Sequence, residues 1–240
     1  MIKLEKTEVV GWEPAIRGMR NPMNSWEKSD SLFFDGDEYH DICGNSGPCS
    51  EHEEGFDLGC VDRNLMMRLA KAGSVDAKFR RMIVVYVDIT APFYWWKEFD
   101  TYKVGTVANS CSTMHRIHAK EFVREDFSLE RLTEPNLNLT DMIIRNLNIY
   151  RDKYLASKDK EDWWQMIQLL PTNYNQRRTI MLNYEVLAGL YPMRKSHKLD
   201  EWHEFCRWIE SLPYSEVITV GSPYFKEAAN AADKSTFSPA

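Results

Sequence analysis

The side chains best suited to hold a metal are His40, Cys43, Cys49 and His52. Cys43 follows His40 by three positions and His52 follows Cys49 by three, a spacing compatible with tetrahedral zinc. Gly44, Asn45, Gly47 and Pro48 would form a tight knuckle between the pairs, and Cys60 is an alternative ligand. The competing reading is a polar loop with two reduced cysteines. It is preferred over zinc, because zinc motifs show tighter and repeated spacings. A second group runs from Thr101 to Arg116. It is dense in hydroxyls and contains Lys103, His115 and Arg116. Hydroxyls, backbone N–H groups and a lysine together suit a phosphate. The alternative is a polar loop returning to a strand, since no glycine-rich phosphate loop is present. Cys111 is a conceivable nucleophile, but a structural cysteine is the better expectation. His115 and His118 read as a surface pair. A third group, Asn173 to Arg194, places Arg177 and Arg178 before an apolar run and Arg194 after it. Arginines at the edge of an apolar element grip anions or form surface ion pairs. Glu185 inside that run needs a partner or a cavity, because burying a lone carboxylate is costly.

These groups need elements to position them. Residues 2–10 alternate as a strand, and 81–89 (RMIVVYVDI) is the strongest strand in the chain. Residues 15–19 suit a short helix, and 21–59 read mostly as loop. Residues 62–72 are a helix stopped by Gly73, and 93–100 form a helix after Ala91-Pro92. Helices are also expected over 138–154, with Met142, Ile143, Leu147 and Tyr150 inward, and over 158–170, 179–190 and 199–212. A few strands with segregated helices make an α+β chain with a small mixed sheet.

The 240 residues carry 43% hydrophobic and 28% charged residues with a formal net charge of -6. An acidic chain lacks the basic footprint of a duplex nucleic-acid binder. No stretch approaches the roughly 20 apolar residues of a membrane span. Without an export signal, a cytoplasmic setting with reduced cysteines is expected. Aromatic residues make up 12%. They suit core packing first, and an interface or stacking on a flat ligand second.

Against this background, several segments resemble the flavin-dependent thymidylate synthase (ThyX) family. Ala91-Pro92-Phe93-Tyr94-Trp95-Trp96-Lys97-Glu98-Phe99 is similar to the family's Ala-Pro helix, which leads into its Arg-His-Arg signature. The polar run after that signature corresponds to Val104–Met114. Lys71-Ala72-Gly73-Ser74 is similar to the family's Gly-His turn, and Leu170-Pro171 to its Leu-Pro. Asn183 stands where the Asn-x-Arg-Ser helix starts. Arg194, Ser196-His197, Trp202 and Glu204 resemble the closing segment. The similarity runs over most of residues 62–212, with no motif intact. Thr101-Tyr102-Lys103 replaces Arg-His-Arg, Glu185 replaces the arginine that touches the pyrimidine nucleotide, Ile167 replaces the arginine before Leu-Pro, and Ser74 replaces the histidine of the turn.

The resemblance implies one ThyX-like domain over 1–224 and a homotetramer, while composition reads the stretch around 21–60 as a loop-rich insertion and 225–240 as a flexible tail. It implies FAD as cofactor, with NADPH and methylenetetrahydrofolate as co-substrates in C5-methylation of dUMP or a modified nucleotide. The alternative is a protein of this fold that binds a nucleotide without making dTMP. In either case Lys103, Thr106, Asn109, Ser112 and Glu185 are expected at the nucleotide or its phosphate, and Tyr102, Asn183, Arg194 and His197 at the cofactor. No catalytic residue is assigned. An Arg-to-Glu change reverses the interaction with a dianion, and Lys103 keeps the charge without the bidentate fork.

Overall fold

The computed structural model describes residues 2–34 and 55–221. In chain order the regular elements are β1 (Lys3–Val10), α1 (Trp12–Arg20), β2 (Leu32–Phe34), β3 (Gly55–Asp57), α2 (Cys60–Ala72), β4 (Val84–Pro92), α3 (Phe93–Phe99) and β5 (Val107–Ser110). They continue with α4 (Glu134–Ser157), α5 (Lys160–Leu169), β6 (Asn175–Asn183), α6 (Tyr184–Arg194), α7 (Asp200–Ser211) and α8 (Glu216–Thr219), joined by short 3-10 turns. The contacts divide the chain into two compact units. One comprises Met1–Glu8, Val85–Leu182 and Met193–Ile209, and the other takes the remaining segments. Among the described residues no helix is long and apolar enough to cross a membrane.

The first unit is built on a sheet of order β1-β4-β6-β5. Strand β4 behaves as its composition dictates. Val85, Val87, Ile89 and Ala91 are fully buried, while the residues between them are more exposed. The chain then turns at Pro92 into α3, which buries Trp95, Trp96 and Phe99. Trp95 packs on Trp202 and Phe205 of α7, with centroids 4.8 and 5.7 Å away. A second cluster joins Phe122, Phe127, Ile144, Leu147, Met166 and Tyr174 under the paired helices α4 and α5. Helix α4 turns Thr140, Ile144 and Leu147 inward. Met142, expected inside, is 48% exposed.

The expected helix over 179–190 is corrected. Its first part is strand β6, antiparallel to β5 with Asn109 opposite Thr179 and Ser110 opposite Arg178. Gln176, Ile180 and Leu182 point inward and Arg177 and Thr179 outward, a period of two. The apolar run crosses a strand end and a helix start, so its uniform hydropathy hid the junction. Asn183 marks that junction: its Oδ1 accepts from Val186 N at 3.0 Å, as a helix cap does.

The second unit is organised by a buried ion pair. Arg20 Nε donates to Asp62 Oδ1 at 2.6 Å, and both side chains are almost wholly buried. Arg20 also donates to Ser25 O (3.1 Å) and Lys28 O (2.9 Å). Asp62 Oδ2 accepts from Ser29 Oγ (2.6 Å), Ser31 Oγ (2.7 Å) and two backbone N–H groups. The segment expected to be loop is thus, in its first part, tied to α1 and α2. Trp12 stacks on Phe56 (4.8 Å) and meets Tyr184 and Tyr214 edge-on. Gly11 has φ +93, and a Cβ there would lie 2.2 Å from Met82 O, so the turn into α1 requires glycine.

Burial pushes the Asp62 carboxyl upward, but hydrogen bonds from Ser29, Ser31 and Arg20 and the Arg20 charge outweigh it and hold the group below its ordinary value. Its stabilisation is therefore present above the unfolded carboxyl range near about pH 3.9 and is lost as pH falls through the lower folded value. Asp62→Asn is expected to cost about 3–5 kcal/mol at neutral pH, because it strands a buried guanidinium. Urea titrations at descending pH should show the gap between wild type and variant narrowing only below about pH 4.

Candidate functional site

Two polar centres lie in the first unit. The first surrounds Glu98, near the end of α3. Its Oε2 accepts from Arg194 Nη1 at 2.6 Å and from Trp202 Nε1 at 3.1 Å, and lies 3.2 Å from His197 Nε2. Arg194 Nε donates to Tyr102 Oη at 2.8 Å, and its guanidinium lies 4.4 Å from the Trp202 ring centroid. Of the residues expected at a cofactor, Tyr102, Arg194 and His197 are thus brought together. They converge on a carboxylate belonging to this chain, and Glu98 neutralises Arg194. Asn183, the fourth, caps α6 in the other unit.

The second centre is a pocket of about 310 Å³. Cys111, Ser112, Lys120, Tyr174, Gln176 and Arg177 are among its lining residues. The local chain explains the arrangement. Cys111 N donates to Arg177 O, and Gln176 Nε2 donates back to Cys111 O at 2.8 Å, so the end of β5 is clamped to β6. Ser112 Oγ accepts from His115 N at 2.9 Å and forms a tight turn. Tyr174 is 91% buried, its relative exposure being 9%, and its hydroxyl has no hydrogen-bond partner among the described residues. Burial first, then the charges of Asp126 and Cys111, push its pKa up to about 12, so it is a neutral donor at physiological pH. Arg177 pairs with Asp88 at 2.6 Å and Lys120 with Asp126. An anion entering this pocket meets two cations, each already shared with a carboxylate, and the carboxylates of Glu125 and Asp126 in the same lining.

The remaining expected site residues are dispersed. Thr106 Oγ1 donates to the carbonyl of Tyr102. Asn109 lies exposed on β5, and Lys103 is exposed without a carboxylate partner among the described residues. Cys111, expected as a structural cysteine, is an exposed thiol in the pocket wall. Arg178, expected before a helix, lies on β6 and bonds Asp100 at 2.6 Å while stacking on Trp96. In the second unit, Glu185 opens α6 and has the partner its position demands: Arg80 Nη1 lies 3.6 Å from its Oε2. Arg80 also donates from Nε to Val217 O at 2.6 Å, and its Nη2 is buried without a partner. His40, Cys43, Cys49 and His52 lie outside the described residues. Among those described, no group of three metal-binding side chains occurs.

No protein-family model and no curated protein sequence matches the chain. Among solved structures, a flavin-dependent thymidylate synthase ThyX from Helicobacter pylori, complexed with FAD and dUMP, aligns with TM-score 0.61 and 16% identity over 91% of this chain and 98% of its own. A second ThyX structure from that organism, also with FAD and dUMP, gives 0.61 and 16% over 92% and 98%. The fold is that of ThyX. The similarity lies in backbone architecture, and at 16% identity it carries no site residue with it.

Sequence reasoning missed Glu98, Arg80 and Tyr174. Glu98 had a signal, a carboxylate in a helix whose other residues, apart from Lys97, are aromatic. Arg80 and Tyr174 had none, because their roles depend on segments far away in the chain.

Glu98→Ala removes the acceptor shared by Arg194 and Trp202 and is expected to cost about 1–3 kcal/mol, read as a fall of several degrees in Tm. Arg80→Met should cost about 3 kcal/mol or more by stranding Glu185, and Arg80→Met/Glu185→Leu should recover much of that loss. A double variant less stable than Arg80→Met would show that the pair is not coupled.

Proposed function

We propose that this chain is a ThyX-fold protein that binds a nucleotide or nucleotide-derived anion without forming dTMP. The observation that supports this reading is the pairing, within the chain, of two charged side chains in segments that resemble the synthase's nucleotide and closing motifs, Glu185 and Arg194. Glu185 is answered by Arg80, while Arg194 is neutralised by Glu98. A flavin pyrophosphate needs donors that are not already matched by carboxylates. Arg194 and His197 face Glu98, the Tyr102 hydroxyl is taken up by Arg194, and Asn183 caps α6, so this group offers a pyrophosphate no unpaired cation. What remains is the pocket at Ser112. There the Tyr174 hydroxyl, the Lys120 and Arg177 cations and the Ser112 hydroxyl share one lining, and they are the groups that would meet the anion in this reading.

A second reading, a divergent flavin-dependent C5-methyltransferase of dUMP or a modified nucleotide, is supported by the fold match to structures holding FAD and dUMP. NADPH and methylenetetrahydrofolate would be its co-substrates. Both readings treat residues 1–224 as one ThyX-like domain and include a homotetramer.

Purified protein is expected to be colourless and to gain no stability from FAD. A nucleoside monophosphate at a hundredfold excess over its Kd should stabilise it by about 2.7 kcal/mol, several degrees in Tm. Tyr174→Phe should reduce that shift. A yellow protein that forms dTMP would replace the first reading with the second, and no shift with any nucleotide would defeat both.

A further inference from the structure

The second unit holds a feature that the proposed function does not use. Two large aromatic side chains, Trp26 and Phe33, are 49% and 40% exposed. Both line one pocket of about 290 Å³, whose wall also includes Ile16, Ser29 and the aligned side chains Glu13 and Arg17 of α1. Trp26 makes no ring contact with any described aromatic, although it shares this pocket with Phe33. The two rings therefore flank a space instead of filling it.

Each wall is held from behind by a separate set of contacts. Phe33 is stacked on Phe56 with an interplanar angle of 10°, and Phe56 on Trp12, so Phe33 is the outer member of a three-ring column. Trp26 donates from Nε1 to Asn21 Oδ1 at 2.7 Å. The turn that carries it is fastened at both flanks, Ser25 and Lys28, by the buried Arg20 guanidinium. Ile16, 3% exposed, adds an apolar surface. On the rim, Arg17 and Glu13 lie 3.4 Å apart and more than half exposed, a donor and an acceptor side by side. Rings fixed in advance around a gap lose little conformational entropy when a third ring enters.

We propose that this slot binds a planar, uncharged heteroaromatic ring of nucleobase size, stacked against Trp26 and Phe33, with its polar edge at Arg17 and Glu13. An apolar space with a few convergent polar groups is the usual form of a small-molecule site, and 290 Å³ falls at its small end. A charged ring gains nothing from a rim whose cation and carboxylate cancel. The slot lies in a different unit from the Ser112 pocket, so this assignment does not depend on the function proposed above.

Adenosine is the probe, with ribose 5-phosphate as the ringless control. Binding is followed by saturation-transfer NMR and by titration on the full chain. Adenosine should bind, with saturation transfer to its base protons, and ribose 5-phosphate should not. Trp26→Ala and Phe33→Ala should each weaken adenosine roughly five- to hundredfold, the effect expected for loss of one stacking partner. Trp26→Ala alters only a half-exposed side chain, and an unchanged Tm would confirm its fold. Tyr174→Phe should leave adenosine affinity unchanged. The proposal is overturned if neither adenosine, guanosine nor cytidine binds at millimolar concentration, if Trp26→Ala binds adenosine as wild type does, or if the slot instead takes a tryptophan-bearing peptide in preference to every free base.

Discussion

A guanidinium and a carboxylate removed from water stay ionised only if every remaining donor and acceptor is matched. Arg20 and Asp62 meet that condition with unusual completeness, through Ser25, Lys28, Ser29, Ser31 and the backbone of Asp30. The geometry of the second unit follows from this pair. It joins α1 to α2 across 42 positions of sequence and gives the irregular segment between them a fixed course. It also sets Trp26 in place at the edge of a pocket. A hydrophobic contact would have held the helices as strongly, but without directing six separate polar groups.

The same rule, applied less completely, separates the other charged centres. Glu98 accepts from Arg194 and Trp202, has His197 beside it, and remains partly exposed to water. Arg80 and Glu185 lie 3.6 Å apart with one polar atom on each left unmatched. That spacing leaves room for relaxation that the Arg20 pair does not have. The cations of the Ser112 pocket are paired as closely as Arg20, Arg177 with Asp88 and Lys120 with Asp126, but their side chains are largely open to water. The pairs thus differ mainly in burial, from the closed pair that holds the fold to the exposed ones that can meet a ligand.

Much of the architecture was legible in the chain. The β-branched run over 81–89, the glycine stop at 73 and the amphipathic run over 138–154 each reflect local physics, and each appears as an element, in β4, α2 and α4. The similarity of segment order to ThyX anticipated a fold that 16% identity alone would hardly reveal. Residues 179–183 were read as helix because a buried strand and a buried helix are both apolar, and only pairing with β5 distinguishes them. The site was less legible. The convergence of Tyr102, Arg194 and His197 followed from the resemblance, but their common acceptor did not. Nor did Arg80, because a buried ion pair is a property of two distant segments and leaves no periodic trace in either.

The sheet of the first unit ends in two strands of opposite character. β5 is four residues long and wholly exposed. β1 carries Lys3, Glu5, Lys6 and Glu8, and Lys6 adopts φ 55, which breaks the regular run of strand geometry. An intact strand edge is a template on which another chain can grow, and brevity, charge and a twisted residue each spoil that template. The protein should therefore tolerate concentration without forming ordered aggregates through this sheet. A non-glycine residue in the left-handed region at position 6 is one of the features that blunts this edge.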